Sequence, residues 1–272
     1  TALEASGAVP VAATDDEAAK ALAAHRFYDV FTEPDPAVTT AATDALAKID
    51  RKVAAMQAVD LGLDALSLAA IYFLAAIGLA ITFGVMGVIN MAHGEFITIG
   101  AYTGYVVQIY VPDYTASILI ALPLAFAVTF AAGVALERLV IRHLYKRPLE
   151  TLLATFGISI ALQQLLKNIF GTQARPLTAP GWLDGALAIN DVVSISYIRF
   201  AIFVLALLFL GFFLWLMKRT RLGLEVRAVT QNPAMAASMG IDPGRINMLT
   251  FGLGSGIAGI AGVAIGLFAK VT

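Results

Sequence analysis

Asn90, His93 and Glu95 lie close together in the segment Gly84-Val85-Met86-Gly87-Val88-Ile89-Asn90-Met91-Ala92-His93-Gly94-Glu95. The residues before Glu95, back to position 65, contain no Asp, Glu, Lys or Arg. An amide, an imidazole and a carboxyl group are costly in apolar surroundings and by default face a bundle interior or a water-filled path. Broken helical backbone at membrane depth is tolerated only where it is buried in protein or lines a cavity. One reading is therefore a bent segment beside a transport path. The other is a turn at the membrane interface, with Asn90 capping the next helix and Glu95 near its positive end. His93 and Glu95 are two residues apart and point to different sides of any helix, which argues against an acid–base pair.

Two polar stripes bear on the choice. Glu95, Thr98, Tyr102 and Tyr105 recur at helical spacing on one side of the following segment. Thr151, Thr155, Ser159 and Gln163 recur every four residues further along. A neutral, hydrogen-bonding lining suits a small polar solute. The competing account is that these hydroxyls bond their own helix or a neighbour across an interface.

Other chemistry is thinly represented. There is no cysteine, and His25, His93 and His143 show no ligand spacing, so neither a metal site nor a cofactor is expected. No phosphate-binding Gly-x-x-x-x-Gly-Lys-Ser/Thr loop is present. The net charge of −1 excludes the strong basic field of a nucleic-acid binder. It also conceals an asymmetry: residues 1–60 hold ten acids and five bases, the remainder nine acids and thirteen bases.

The elements that must position these residues are membrane spans. Hydrophobic residues make up 59% of the chain and charged residues only 14%, against about 25% in an ordinary soluble domain. Runs free of charge at 65–94, 96–112, 114–136, 151–166, 200–217 and 246–269 predict helices near 64–86, 95–110, 116–137, 150–169, 199–217 and 246–268. The first run is too long for one span and must bend through 87–94. The predicted fold is an all-α, polytopic transmembrane helical bundle of about six spans. A small helical N-terminal extension, 1–60, precedes the membrane domain 61–272. Within it, 15–31 and 37–58 read as helices separated by the break Thr32-Glu33-Pro34-Asp35-Pro36.

Arg138, Arg142, Lys146 and Arg147 follow the third span, and Lys218, Arg219, Arg221, Arg227 and Arg245 follow the fifth. Under alternating topology both groups fall on one side, which the positive-inside tendency makes cytoplasmic. The extension is then extracytoplasmic. So is the loop 171–198, whose Trp182 either sits at headgroup level or packs within the loop.

Two further segments stand out. The last span carries Gly252, Gly256, Gly262 and Gly266, and the second carries Gly100 and Gly104, small residues at four-residue spacing that suit close helix packing. The basic loop before the last span contains Asn232-Pro233, which opens a short helix, and Gly240, which stops it. Such a helix, with Ala236, Met and Ile on one side, suits docking to a partner.

The segments GLAITFGVMGVINMAHGEF (78–96) and RLGLEVRAVTQNPAMAASMGID (221–242) resemble permease subunits of ATP-driven importers for branched-chain amino acids and urea. INMAHGEF and the Asp35-Pro36-Ala37 turn resemble the urea branch more closely. The resemblance implies a urea permease of the bacterial inner membrane, with branched-chain amino acid transport as the alternative. A passive channel or secondary transporter is the reading from another class.

The implied partners are a second, homologous permease, cytoplasmic ATPase subunits, an extracytoplasmic solute-binding protein and the lipid bilayer. ATP hydrolysis would belong to a partner, with no catalytic residue here. On this resemblance Arg221, Gly223, Glu225, Arg227, Asn232, Ala236 and Gly240 form the ATPase-coupling loop. Asn90, His93, Gly94 and Glu95 match the signature near the first bend. The path is expected at Asn90, His93, Glu95, Thr98, Tyr102, Thr155, Ser159 and Gln163. Family members continue past the sixth span, so the chain is expected to be a C-terminally truncated permease domain.

Overall fold

A computed structural model describes residues 36–145, 147–173, 177–188 and 194–268. The helix expected over 15–31 lies outside these residues. In order, the elements are α1 (Pro36–Met86), α2 (His93–Tyr110), α3 (Tyr114–Leu139), a 3-10 turn at Ile141–His143 and α4 (Pro148–Phe170). Then come β1 (Ala186–Ala188), β2 (Ser194–Ser196), α5 (Tyr197–Arg219), α6 (Arg221–Gln231), α7 (Pro233–Ser238) and α8 (Pro243–Phe268). The two short strands pair with each other. The architecture is all-α and polytopic.

Helix ends follow local chemistry. Pro36 starts α1, where its missing N–H costs nothing. No proline interrupts the junction expected near residue 60, and α1 runs unbroken to Met86. It stops at Gly87, whose φ of +63° glycine adopts without the Cβ penalty other residues meet. Asp113 caps α3 by accepting the Thr115 N–H at 2.9 Å. Pro148 opens α4, and Gly171, with φ +84°, follows its last turn.

Among the described residues, five helices are long and apolar enough to cross a membrane: the part of α1 from Thr43, α3 with its 3-10 turn, α4, α5 and α8. The sixth expected span is α2, a helix of 18 residues that is not among these five. Its Gln, Tyr, Thr, His and Glu side chains lower its hydropathy.

The chain divides into two compact units: residues up to Asp64 with Leu187–Ile195, and Ala65–Ala186 with Ser196–Thr272. In the first unit, no residue of 43–64 is buried. In the second, α8 is the core, its most apolar stretch 78% buried, against 11% for α5 and 17% for α4. Glycine makes this possible. A Cβ on Gly100 of α2 would stand 2.0 Å from Gly259 O of α8, and one on Gly262 would stand 1.9 Å from Ile97 O. A Cβ on Gly78 of α1 would meet Gly254 O at 2.4 Å. Backbone therefore touches backbone, as small residues permit where lipid removes the hydrophobic drive to associate.

The two ends of α8 mark the two ends of this unit. Ile246, near its start, packs with Val226, Val229 and Ala236 of the α6–α7 arm, and with Val85. Near its other end, Gly266 adjoins Leu177. Twenty residues of helix separate them, about 30 Å and close to the thickness of the hydrocarbon layer.

Candidate functional site

The bend at 87–92 is organised by its own polar groups. Asn90 Oδ1 accepts the Ala92 N–H at 3.0 Å, and Ala92 rather than Asn90 occupies the N-cap of α2. Met91 donates its N–H to Thr155 Oγ1 at 3.2 Å, tying the bend to α4. His93 Nε2 lies 3.0 Å from the Ala75 carbonyl of α1. With Nε2–H donating to that carbonyl, Nδ1 carries a lone pair; it and Asn90 Nδ2 are buried without a hydrogen-bond partner.

Glu95 turns the other way, toward α4. Its Oε1 accepts from Ser159 Oγ at 2.9 Å and from Gln163 Nε2 at 2.8 Å, and the residue is 6% exposed. Ser159 stands at the midpoint of α4, eleven residues from either end, or roughly 17 Å. The carboxyl group therefore lies level with the middle of α4.

The structure brings Glu95, Ser159 and Gln163 into one cluster and joins Thr155 to the neighbouring bend. Thr155 Oγ1 also donates to Leu152 O at 3.0 Å. Thr98 Oγ1 bonds the Gly94 carbonyl of its own helix at 3.1 Å. Tyr102 stacks on Phe170 of α4, with ring centroids 4.2 Å apart and planes 11° apart. Beside this pair, Ile99, Thr103, Val106, Leu124, Val128 and Leu166 line an apolar cavity of about 280 Å³.

The α6–α7 arm is built with equal economy. Thr220 caps α6, and a Cβ on Gly223 would stand 2.1 Å from Met217 O, so only glycine lets α6 fold back against the end of α5. Arg227 donates from Nη1 to the same Met217 carbonyl. Leu222, Val226 and Val229 form the inward face of α6. Asn232 caps α7 through Oδ1 to the Met235 N–H at 3.0 Å. Gly240, with φ +83°, ends it: Gly240 N bonds Ala237 O, and Ile241 N bonds Ala236 O, a Schellman closure. Ala236 is buried in the arm's own core. Leu224, Met235 and Met239 are exposed. Arg221 is exposed and Glu225 half-buried.

Of the four glycines singled out on the last span, each adjoins a neighbouring element. Cβ atoms on Gly252, Gly256, Gly262 and Gly266 would meet Val134 and Phe130, Phe126, Ile97 O, and Leu177 respectively. Three features were not singled out in the sequence. Gly78, Gly254 and Gly259 make approaches equally close. Glu137, 1% exposed, accepts the Tyr145 hydroxyl proton. Burial, and then that bond to Glu137, push the Tyr145 pKa well above the usual tyrosine range. Gln108 holds the loop between α4 and β1: its Nε2 donates to Thr178 O at 2.8 Å and its Oε1 accepts the Thr178 N–H at 2.9 Å. An acid at the edge of a basic loop, and a lone amide in the apolar run 96–112, were the available signals.

An all-α bundle with several membrane-length helices, a bent polar segment level with the middle of α4 and a compact arm at one end is that of a polytopic helical membrane protein. Residues 62–271 match the family described as branched-chain amino acid transport system / permease component, and the chain belongs to it. The chain is 32% identical over 211 residues to the high-affinity branched-chain amino acid transport system permease protein BraD of Pseudomonas aeruginosa, covering 74% of this chain and 68% of that one. It is 30% identical over 215 residues to the corresponding permease protein LivH of Escherichia coli K12, with the same coverage. A probable branched-chain amino acid transport permease protein LivH of Methanocaldococcus jannaschii is 29% identical over 201 residues, covering 70% of this chain and 60% of that one. No solved structure matches.

Proposed function

We propose that this chain is a permease subunit of an importer that moves branched-chain amino acids across the bacterial inner membrane, driven by ATP hydrolysis on separate subunits. A second permease and an extracytoplasmic binding protein complete the assembly. The observation that carries the reading is the α6–α7 arm. Its backbone groups are closed by Thr220, Asn232 and Gly240, its inner face is packed, and its outer face presents Leu224, Met235 and Met239. A rigid apolar knob at the basic, cytoplasmic end is what a groove on an ATPase subunit would receive. Gly223, Arg227, Asn232, Ala236 and Gly240 shape this knob, while Arg221 and Glu225 belong to its surface.

The amino-acid reading replaces urea as the preferred solute on two grounds. The relatives reported above are named for branched-chain amino acid transport. The cavity beside Tyr102 and Thr103 is lined chiefly by aliphatic and aromatic groups, which suit a branched side chain and offer urea little to bond. Glu95, Ser159 and Gln163 form the polar margin of the path; Asn90 and His93 anchor the bend beside it. The N-terminal extension is extracytoplasmic.

The test is uptake by vesicles holding the permease assembly with its ATPase and binding protein, using labelled leucine and labelled urea in parallel. The reading expects leucine uptake that requires ATP. Urea uptake alone would restore the urea reading, and ATP-independent flux of either solute would favour a passive channel.

A further inference from the structure

Three arginines that are distant in sequence meet at one cavity. Arg138 in the last turn of α3, Arg142 in the 3-10 turn that follows and Arg245 in the first turn of α8 line a space of about 200 Å³, together with Glu137, Asp242, Gly244 and Met248. The two carboxylates would be the ordinary partners of the guanidinium groups, but each is engaged elsewhere. Glu137 accepts the Tyr145 hydroxyl proton, and Asp242 Oδ1 accepts the Gly244 N–H at 2.9 Å. Among the described residues, no carboxylate forms an ion pair with any of the three arginines. Arg138 gives its Nε–H to Met248 Sδ at 2.9 Å, a weak acceptor. The Arg142 and Arg245 side chains are exposed and make no hydrogen bond among the described residues.

Three cations gathered around one concavity repel one another unless an anion sits among them. The start of α8 adds the positive end of its helix dipole to the same field. Guanidinium groups present paired N–H donors that match phosphate oxygens, and a phosphate offers oxygens in several directions at once. The position favours a phosphate carried by lipid. Both α3 with its 3-10 turn and α8 are of membrane length, and the arginines stand at their ends, the level at which headgroups lie.

We propose that Arg138, Arg142 and Arg245 form a binding site for a phosphate group, supplied by an anionic phospholipid headgroup or by free phosphate. The bound phosphate ties the end of α3 to the start of α8. Ile241, just before α8, packs in the core of the α6–α7 arm, so the same ligand steadies the root of the arm. The site does not depend on which solute the permease moves.

The test titrates phosphatidylglycerol onto the delipidated permease assembly in maltoside micelles, with bound lipid counted by native mass spectrometry. Labelled inorganic phosphate is titrated in parallel by equilibrium dialysis. The site predicts saturable binding of at least one probe, weakened about tenfold by Arg142→Gln or Arg245→Gln, as expected for one lost charge-assisted hydrogen bond. Binding should vanish in Arg138→Gln/Arg142→Gln/Arg245→Gln and persist in Lys218→Gln/Arg219→Gln, which removes two charges at the end of α5, outside the cavity. Saturation by phosphatidylglycerol alone identifies lipid as the source, and saturation by inorganic phosphate alone identifies the free anion. Equal weakening by the α5 variant would reduce the effect to general surface charge and overturn the site. So would full binding by the triple variant, including the case in which that variant loses only its ATPase subunit and the arginines prove to be a protein contact. Should the triple variant fail to fold by circular dichroism, the two single variants, at exposed positions, decide the matter.

Discussion

Removing the Glu95 carboxyl group should uncouple α2 from α4, and the cost can be worked from the cluster it serves. Oε1 receives two donors, Ser159 Oγ and Gln163 Nε2. Glu95→Ala leaves both without that acceptor. A stranded buried donor costs about 1–3 kcal/mol, so the pair bounds the loss at about 6 kcal/mol. Within a bilayer, released groups find other partners, and measured interhelical bonds average about 0.6 and reach about 1.7 kcal/mol. We expect Glu95→Ala to lose about 2–3 kcal/mol. Glu95→Gln keeps a carbonyl acceptor in place and should lose less than about 1 kcal/mol. Reversible unfolding in mixed micelles, followed by helical circular dichroism, measures both. A double-mutant cycle of Glu95→Ala with Gln163→Leu should show a coupling of about 0.6–1.7 kcal/mol. Zero coupling, or a Gln variant as unstable as the Ala variant, would refute the bonded cluster.

Three other outcomes follow from the same geometry. Gly262→Ala sets a methyl against Ile97 O and should destabilise by about 1–3 kcal/mol, whereas Gly94→Ala, with open space around it, should not; thermal unfolding of the two compares them. Gly240→Val forces a β-branched residue to φ +83°, costing at least about 1–2 kcal/mol locally; co-purification with the ATPase subunit should fall while the spans remain folded by circular dichroism. Tyr145→Phe strands Glu137 and should cost about 1–3 kcal/mol. Because the folded Tyr145 pKa is raised, the folded state holds its proton where the unfolded state has lost it. The tyrosine's contribution is complete below about pH 10 and declines above it, so the parent's unfolding free energy should fall there by an increment that the Phe variant lacks.

Much of this was written in the sequence at the level of elements. Charge-free runs placed the spans, because lipid tolerates few charges, and Gly84, Gly87 and Asn90 marked the bend, which the φ of Gly87 executes. Asn232, Pro233 and Gly240 announced a short capped helix because each does its work locally. What could not be read was register between helices. Gly252 and Gly254 look alike in the sequence, yet one faces Phe130 and the other Gly78. Likewise, whether the polar stripe on α4 meets water or Glu95 depends on how α4 is rotated against α2, and spacing along one helix carries no such information. The continuity of α1 has a simpler reason. Composition changes near residue 60, and the two units divide at Asp64, but no helix breaker stands there and the helix continues to Met86.

The central claim is that ATP hydrolysis on a partner, received through the α6–α7 arm, drives transport. Its most direct test is leucine uptake by the vesicle-reconstituted assembly carrying Met235→Glu/Met239→Glu, two exposed side chains that pack on nothing described in this chain's cores. The account predicts that the parent accumulates leucine only with ATP, and that the variant stays folded but loses both ATPase association and uptake. ATP-driven uptake by the variant at the parent's rate would contradict it.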